Sequence, residues 1–244
     1  MKCSIVQRIR YSLRRQGLTT TVLKSYAVIV DHLFDIRWGI DTCKWSQLAE
    51  LTIDSDNKER GVEYQPTRVM PLRKLFDAIK PMIRTDSVLV DFGCGKGRVL
   101  LIALEFGFRE VRGVEFAHEL CEIAKNNTPV YKAKTGFTTE CRIIECDATN
   151  YAINKDENVF FMFNPFDETI LIRVLCNIAA SLQLQRRKIF IIYHNPKYGH
   201  VIEQGDDFER LLEFSFWGYK FAMYSNRDQT STDLPWTTWH QRIA

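Results

Sequence analysis

Asp91, Gly93, Gly95 and Gly97 occupy alternate positions of Asp-Phe-Gly-Cys-Gly-Lys-Gly, directly after a short apolar run that starts at Ser87. Glycines at that spacing let the backbone turn sharply with positive φ and approach a ligand with no Cβ in the way. A helix expected from about Gly97 directs its unpaired N–H groups and the positive end of its dipole into the same space. A second apolar run, Val111 to Phe116, contains Glu115 near its end, and a helical pattern follows it to Asn126 and Asn127. The order strand, glycine turn, helix, strand, helix is that of a nucleotide-like cofactor site.

Spacing selects the cofactor. A dinucleotide fingerprint reads G-x-G-x-x-G, with its acidic residue roughly 20 positions further on. Here an acid, Asp91, precedes the first glycine by two residues. An acid inside the turn repels a pyrophosphate and suits a ligand with a cationic ammonium, while Glu115 is placed to accept the two hydroxyls of a ribose. S-adenosylmethionine has these features, and a nicotinamide dinucleotide fits poorly.

On these residues the sequence resembles the class I S-adenosylmethionine-dependent methyltransferases. The resemblance runs from about Tyr64 to the C-terminus and is most specific at Asp91–Gly97, Glu115, Asp147 and Asn164-Pro165-Phe166. It implies an α/β, doubly wound, mostly parallel seven-stranded sheet with helices on both faces and an antiparallel last strand. It also implies that Asp147, just beyond a third strand, accepts a hydrogen bond from the adenine amino group. By the same resemblance Cys94, Phe116, Ala148 and Asn164 join Asp91, Gly93, Gly95, Gly97 and Glu115 in the cofactor site, with S-adenosylhomocysteine as the product and no metal.

The elements that must hold these residues follow in order. Ile5, Ile9 and Leu13 recur every four residues up to Gly17; Val22, Leu23, Tyr26, Ala27, Val30, Leu33 and Phe34 then form a wider helical stripe expected to pack as core or against a partner. From Asp35 to Gly61 the chain is polar and turn-rich, with a short helix expected around Trp45–Leu51, and reads as a linker or lid. The resulting division is an N-terminal helical extension and lid over residues 1–61 and a cofactor-binding domain over residues 62–244. Thr67 is expected to cap a helix that carries Leu72, Leu75, Phe76 and Ile79 and stops before Pro81. The Tyr64-Gln65-Pro66-Thr67 step is similar to the Tyr-x-Pro-Ser/Thr of certain seven-stranded protein lysine methyltransferases. Tyr64 either lines a methyl-transfer channel, as that likeness implies, or packs at the start of the helix.

After Asn127 a polar connection through Pro129 and Gly136 is expected to lead to a third strand at Cys141–Glu145. Val159–Phe163, apolar and aromatic, reads as a central strand buried on both faces, ending in Asn164-Pro165-Phe166-Asp167. Ligands of an open α/β sheet sit beyond the carboxyl ends of the strands, so the Asn164 amide oxygen and the Pro165 carbonyl are candidates to orient an attacking amine. The chain has one proline where the family's amino-methylating members often carry two. A helix over Ile170–Leu182, a strand Lys188–Tyr193 ending in His194, and a final pair about Trp217-Gly218 complete the sheet. His194 is placed as a base or as a structural histidine, and the tail with Trp236 and Trp239 carries no motif.

Composition excludes several classes. No apolar run approaches the roughly 20 residues of a membrane helix, and no secretory signal follows Met1. Seven cysteines without a C-x-x-C pair argue against a disulfide framework or structural zinc and for a reducing, cytoplasmic setting. The net charge of +3 is uneven: residues 1–30 hold six bases and no acid, leaving 27 bases against 30 acids elsewhere. The basic start reads as a solvated helix face or an organellar presequence, and without interleaved aromatics it is a poor nucleic-acid site.

The leading expectation is an enzyme that methylates an amine, such as a protein lysine, by in-line transfer. A small-molecule or glycan methyltransferase, whose pocket the N-terminal helices would roof, stays open beside it. A non-catalytic S-adenosylmethionine-binding module is disfavoured by the intact glycine loop, paired acids and Asn-Pro step.

Overall fold

The computed structural model describes residues 5–46 and 51–227, with side chains from residue 17 onward. Seven strands form one sheet: β1 (Val88–Phe92), β2 (Glu110–Glu115), β3 (Glu140–Glu145), β4 (Glu157–Met162), β5 (Phe190–His194), β6 (Phe208–Phe216) and β7 (Tyr219–Asn226). Their order is β3-β2-β1-β4-β5-β7-β6. The first five are parallel, and β7 runs antiparallel to both neighbours, as expected for the doubly wound sheet.

Alternation along the strands builds two cores. Leu89, Val111, Phe161, Ile192 and Phe221 point to the face covered by α2 (Val69–Ile79) and α3 (Arg98–Ala103), where Leu72, Phe76 and Leu101 meet them. Val90, Phe92, Phe160, Met162 and Tyr193 point to the other face, covered by α5 (Glu168–Leu184) and α6 (Gly199–Glu203). The central strands are apolar throughout because both of their faces are buried.

The chain opens with α1 (Ile5–Trp38), two helical stretches joined across a break at Gly17, whose φ is 79°. Only part of the apolar stripe expected there is core. Ala27 and Phe34 are buried together with Asp31 and Asp35, whereas Val22, Tyr26 and Leu33 are exposed. The helix also continues into what reads as a linker, ending at Trp38 rather than before Asp35. Asp31 ties this helix to the rest of the fold: its carboxylate accepts from the Val69 N–H at 3.0 Å and from Arg68 and Arg98, each at 2.8 Å. Asp31 thus caps α2 from another helix. Thr67, the expected cap, instead sits 3.3 Å from His194 Nδ1, and α2 has no side-chain cap of its own.

A second difference lies in α4 (His118–Thr135), which passes through Pro129 instead of ending at Asn127. An interior proline removes one helical hydrogen bond and costs about 3 kcal/mol. Neighbouring side chains hold the helix on either side of it: Asn127 bonds the Asp41 and Lys96 carbonyls, and buried Tyr131 donates to Glu105 at 2.6 Å. Gly136, with φ of 76°, closes the helix. The helix expected near Trp45–Leu51 falls largely on residues 47–50, and with Trp236 and Trp239 lies outside the described residues.

Candidate functional site

A cleft opens where the chain order switches between β1 and β4, the place open α/β sheets reserve for ligands. One part, about 230 Å³, is lined by Asp91, Gly93, Cys94 and Glu115, by the strand-end residues Phe163, Asn164 and Pro165, and by Val62–Thr67. A smaller part, about 40 Å³, is lined by Asn57, Gly61, Phe116, Asp147, Ala148 and Phe166. Gly93, Glu115, Phe116 and Pro165 border both, so the two parts form one elongated groove.

The glycine loop is held from β2. Gly93 and Cys94 donate to the Val114 carbonyl, and the Gly95 N–H donates to Glu115 Oε2 at 2.9 Å. A Cβ at Gly93 would lie 2.4 Å from Pro165, and one at Gly95 would lie 2.2 Å from the Tyr64 ring. Both glycines also have positive φ; any other residue would close the cleft or displace its wall. Gly113, which the sequence reading did not single out, serves the same loop: a Cβ there would collide with Cys94 Sγ at 2.6 Å. Its only sequence signal is a glycine in the middle of an apolar strand.

Asp91 is 2% exposed, yet its carboxylate borders the cleft and has no hydrogen-bond partner among the described residues. Burial, with the charge of Glu115 beside it, raises its pKa well above the usual carboxylate range. A buried carboxylate without donors is unfavourable, and a cationic or multiply donating ligand would relieve it. Glu115 is better supplied: besides Gly95 it accepts from the Phe116 and Ala117 N–H groups, each at 3.0 Å. Burial raises its pKa, and those three backbone donors oppose the rise. Of the roughly four acceptor positions of a carboxylate, about one remains for a ligand hydroxyl.

The base within the loop does not face the cleft as a phosphate ligand would. Lys96 Nζ pairs with Asp41 at 3.0 Å and lies 5.5 Å from the Tyr64 ring centroid. Arg98, at the start of α3, is buried with its donors on Asp31, Thr42, Cys43 and the Thr67 carbonyl.

The segment before α2 reaches across the groove. Ser55 Oγ and Asn57 Nδ2 both donate to Asp147 Oδ2, while Thr149 donates twice to Oδ1. Burial would raise the Asp147 pKa, but these bonds outweigh it and hold the group below the usual carboxylate value. Further along, Val62 N–H donates to the Pro165 carbonyl at 3.3 Å, and Asp167 N–H to the Arg60 carbonyl at 3.2 Å. The lid expected from the sequence is therefore tied to the β4 end, and it shares the Pro165 carbonyl expected to face an amine.

The remaining predicted residues are placed as follows. Tyr64 is 9% exposed, its ring lies against Gly95, and its hydroxyl donates to the Thr42 carbonyl at 2.7 Å. Asn164, at φ 41°, donates to the Asn195 carbonyl at 2.7 Å, and its Oδ1 accepts from Lys197 N–H at 3.4 Å. Asn195 is itself left-handed at φ 51°, so two unusual backbone conformations are coupled at adjacent strand ends. His194 is 2% exposed and stacked between Phe163 and Phe221, with ring centroids 3.8 and 4.4 Å away. Burial, with a smaller contribution from Arg68, lowers its pKa to about 3. It stays neutral and walled off, which suits the structural alternative.

No protein-family model and no curated protein matches the chain. Solved structures do. The ribosomal protein L11 methylase of Lactobacillus delbrueckii subsp. bulgaricus superposes with a TM-score of 0.51 at 14% identity, over 68% of this chain and 81% of that one. An RNA methyltransferase of Salinibacter ruber, in complex with S-adenosyl-L-homocysteine, gives 0.49 at 18% identity over 70% and 99% of the two chains. A TehB-like methyltransferase of Corynebacterium glutamicum gives 0.49 at 18% over 66% and 90%. With this strand order and likeness, the fold is that of the class I, Rossmann-like methyltransferases, preceded by an N-terminal helix. Among the described residues no helix is long and apolar enough to cross a membrane, and no cluster of His, Cys, Asp or Glu could hold a metal ion.

Proposed function

We propose that the chain is an S-adenosylmethionine-dependent methyltransferase. The observation that carries this is Asp91, a buried carboxylate facing the cleft with no protein donor, beside a glycine cradle that a Cβ would fill. Asp91 would take the ammonium of the cofactor, Glu115 a ribose hydroxyl, and Asp147 the adenine amino group, with Phe116 and Ala148 walling the ring. The bound cofactor supplies an activated sulfonium methyl group. The chain's own task is to exclude water and align the acceptor, where orientation is worth roughly 7–11 kcal/mol.

For the acceptor we propose an amine, such as a protein lysine. Asn164 Oδ1, with only a 3.4 Å backbone bond, keeps acceptor capacity at the cleft, and Phe163, Pro165 and Tyr64 give the apolar wall that favours a neutral amine. A small-molecule or glycan acceptor is the second reading, supported by one observation: Leu51 and Val62–Thr67 line the cleft, although no described residue of α1 does.

Two measurements test both levels. Titration calorimetry with S-adenosylhomocysteine should show binding that Asp91→Ala abolishes; no binding to the wild-type chain would overturn the cofactor reading. Labelled methyl transfer into fractionated cell extract should place label in protease-sensitive, nuclease-resistant material. Label confined to small-molecule or glycan fractions would overturn the lysine reading in favour of the second.

A further inference from the structure

Lys197 is the only lysine among the described residues that lines either part of the groove. The other base there, Arg98, is spent on Asp31, Thr42 and Cys43 behind the glycine loop. Lys197 is exposed and pairs with no carboxylate among the described residues. Its ammonium rests 4.8 Å from the ring centroid of Tyr198, a residue outside the groove lining. One exposed cation–π contact is a weak hold, so the side chain can leave that ring at little cost.

The backbone around Lys197 is fixed against the β4 end. Asn164 Nδ2 donates to the Asn195 carbonyl at 2.7 Å, and the Lys197 N–H donates to Asn164 Oδ1 at 3.4 Å. The Lys197 stem therefore starts beside the amide oxygen proposed to orient an amine. Extended, a lysine stem spans about 6 Å, enough to swing its nitrogen from Tyr198 to that oxygen.

We infer that Lys197 is a methylation site of the chain itself, modified in its own cleft. The inference rests on the methyltransferase reading above and names one protein lysine that the same site would take. The Lys197 ammonium gives a proton to water. The lone pair so exposed on Nζ forms an N–C bond to the sulfonium methyl group as the C–S bond breaks. Sulfur keeps that bonding pair, so S-adenosylhomocysteine and a methylammonium remain and no further reactant is needed. Asn164 Oδ1 accepts from the amine, and Phe163, Pro165 and Tyr64 wall it from water.

Tethering favours this acceptor over others. A side chain fixed at the cleft has an effective concentration on the order of millimolar, without the recognition that an outside protein must supply. Lys58 and Lys96 show the contrast: neither lines the groove, and each is held elsewhere, on the Leu51 carbonyl at 2.9 Å and on Asp41 at 3.0 Å. A methylated Lys197 still lies at the acceptor end of the cleft, so the modification competes with an outside acceptor.

Tandem mass spectrometry of the purified chain, as isolated and after incubation with methyl-labelled S-adenosylmethionine, should place methyl groups on Lys197. Lys188, which precedes β5 at its opposite end and donates to the Asn226 carbonyl, should stay unmodified. Lys197→Arg keeps the charge and should lose the label with an unchanged circular dichroism spectrum. The labelling rate per chain should not vary over about a tenfold range of chain concentration; a rate proportional to concentration would overturn the route within one chain. Acylation by an N-hydroxysuccinimide ester reads the same geometry without turnover. It should mark Lys197 in the ligand-free chain and fall severalfold there, but not at Lys188, once S-adenosylhomocysteine fills the groove and the side chain turns in to Asn164. A chain that binds S-adenosylhomocysteine yet carries no methyl group on Lys197, or whose acylation ignores the ligand, would overturn this inference alone. Absence of S-adenosylhomocysteine binding would overturn the methyltransferase reading and this inference with it.

Discussion

Asp31 on α1 and Arg98 at the start of α3 meet at 2.8 Å with side chains 1% and 2% exposed, 67 residues apart in sequence. This contact joins the N-terminal helix to the glycine loop that borders the cleft, because Arg98 directly follows Gly97. Removing one partner of a buried pair strands the other charge, at a cost of about 3–5 kcal/mol. Asp31→Ala should therefore lower the denaturant midpoint by that equivalent and weaken cofactor binding as the loop loosens. Urea unfolding and titration calorimetry on the same variant would check both.

Asp91 sets stability against binding. Its folded pKa lies above the unfolded value because of burial and Glu115, so the folded chain holds the proton more tightly. Its contribution is complete below the unfolded pKa of about 3.9 and is lost as pH rises through the folded value. Asp91→Asn should then raise the neutral-pH stability of the ligand-free chain by at least about 1 kcal/mol, or roughly 2–4 °C in Tm. It should simultaneously abolish cofactor binding. Thermal melts from pH 3.5 to pH 8 should show almost no gain at the acid end and a gain that grows as pH rises.

His194 predicts the opposite slope. Its pKa is lowered to about 3 in the folded chain, against 6.5 for an ordinary histidine. Unfolding takes up a proton between those values, so stability is lost as pH falls from about 6.5 toward 3. His194→Phe, which keeps an aromatic ring between Phe163 and Phe221, should flatten the acid limb of the stability profile by a few kcal/mol while leaving methyl transfer at neutral pH in place. Unfolding curves from pH 4 to 8 would decide it. An unchanged acid limb would show that carboxylates dominate.

Ser55 and Asn57 occupy Asp147 Oδ2, the acceptor proposed for the adenine amino group. Because Thr149 fills Oδ1, a ligand donor must displace a lid bond. Ser55→Ala with Asn57→Ala should tighten S-adenosylhomocysteine binding by roughly tenfold, about 1.4 kcal/mol. Equal or weaker binding would mean that the two side chains close over the ligand instead of competing with it.

The parts legible in the sequence are those whose signals are local. Asp91, Gly93, Cys94, Glu115 and Asp147 stand out by their spacing from apolar strands, and all five line one groove, whereas Lys96 of the same loop turns away to Asp41. What local patterns do not carry is partnership. Asp31 looked like one acid in a helix, although its place on one face with Ala27 and Phe34 marked it as inward-facing. The apolar stripe from Val22 to Phe34 merged two faces, since apolar residues on both sides of a helix satisfy the same helical period. Pro129 pointed to a helix end because its local cost was visible, while the Asn127 and Tyr131 contacts that hold the helix together were not.

Asn164 remains the test of mechanism. Its side chain ties the β4 end to the β5 end through the Asn195 carbonyl at 2.7 Å, and both residues are left-handed at φ 41° and 51°. The same amide leaves Oδ1 at the cleft, so positioning the strand ends and orienting an acceptor fall to one group. Asn164→Ala removes both roles, and a 1 Å misplacement alone can cost ~10²-fold in rate. Single-turnover transfer should fall by about that factor, with S-adenosylhomocysteine affinity within roughly threefold of wild type. Asn164→Asp separates the roles. A carboxylate keeps an acceptor but cannot donate to the Asn195 carbonyl, so partial recovery over the alanine variant would assign the larger share to orienting the acceptor. If the two variants are equally slow, the tie to β5 is what matters, and normal turnover in both would remove Asn164 from the mechanism.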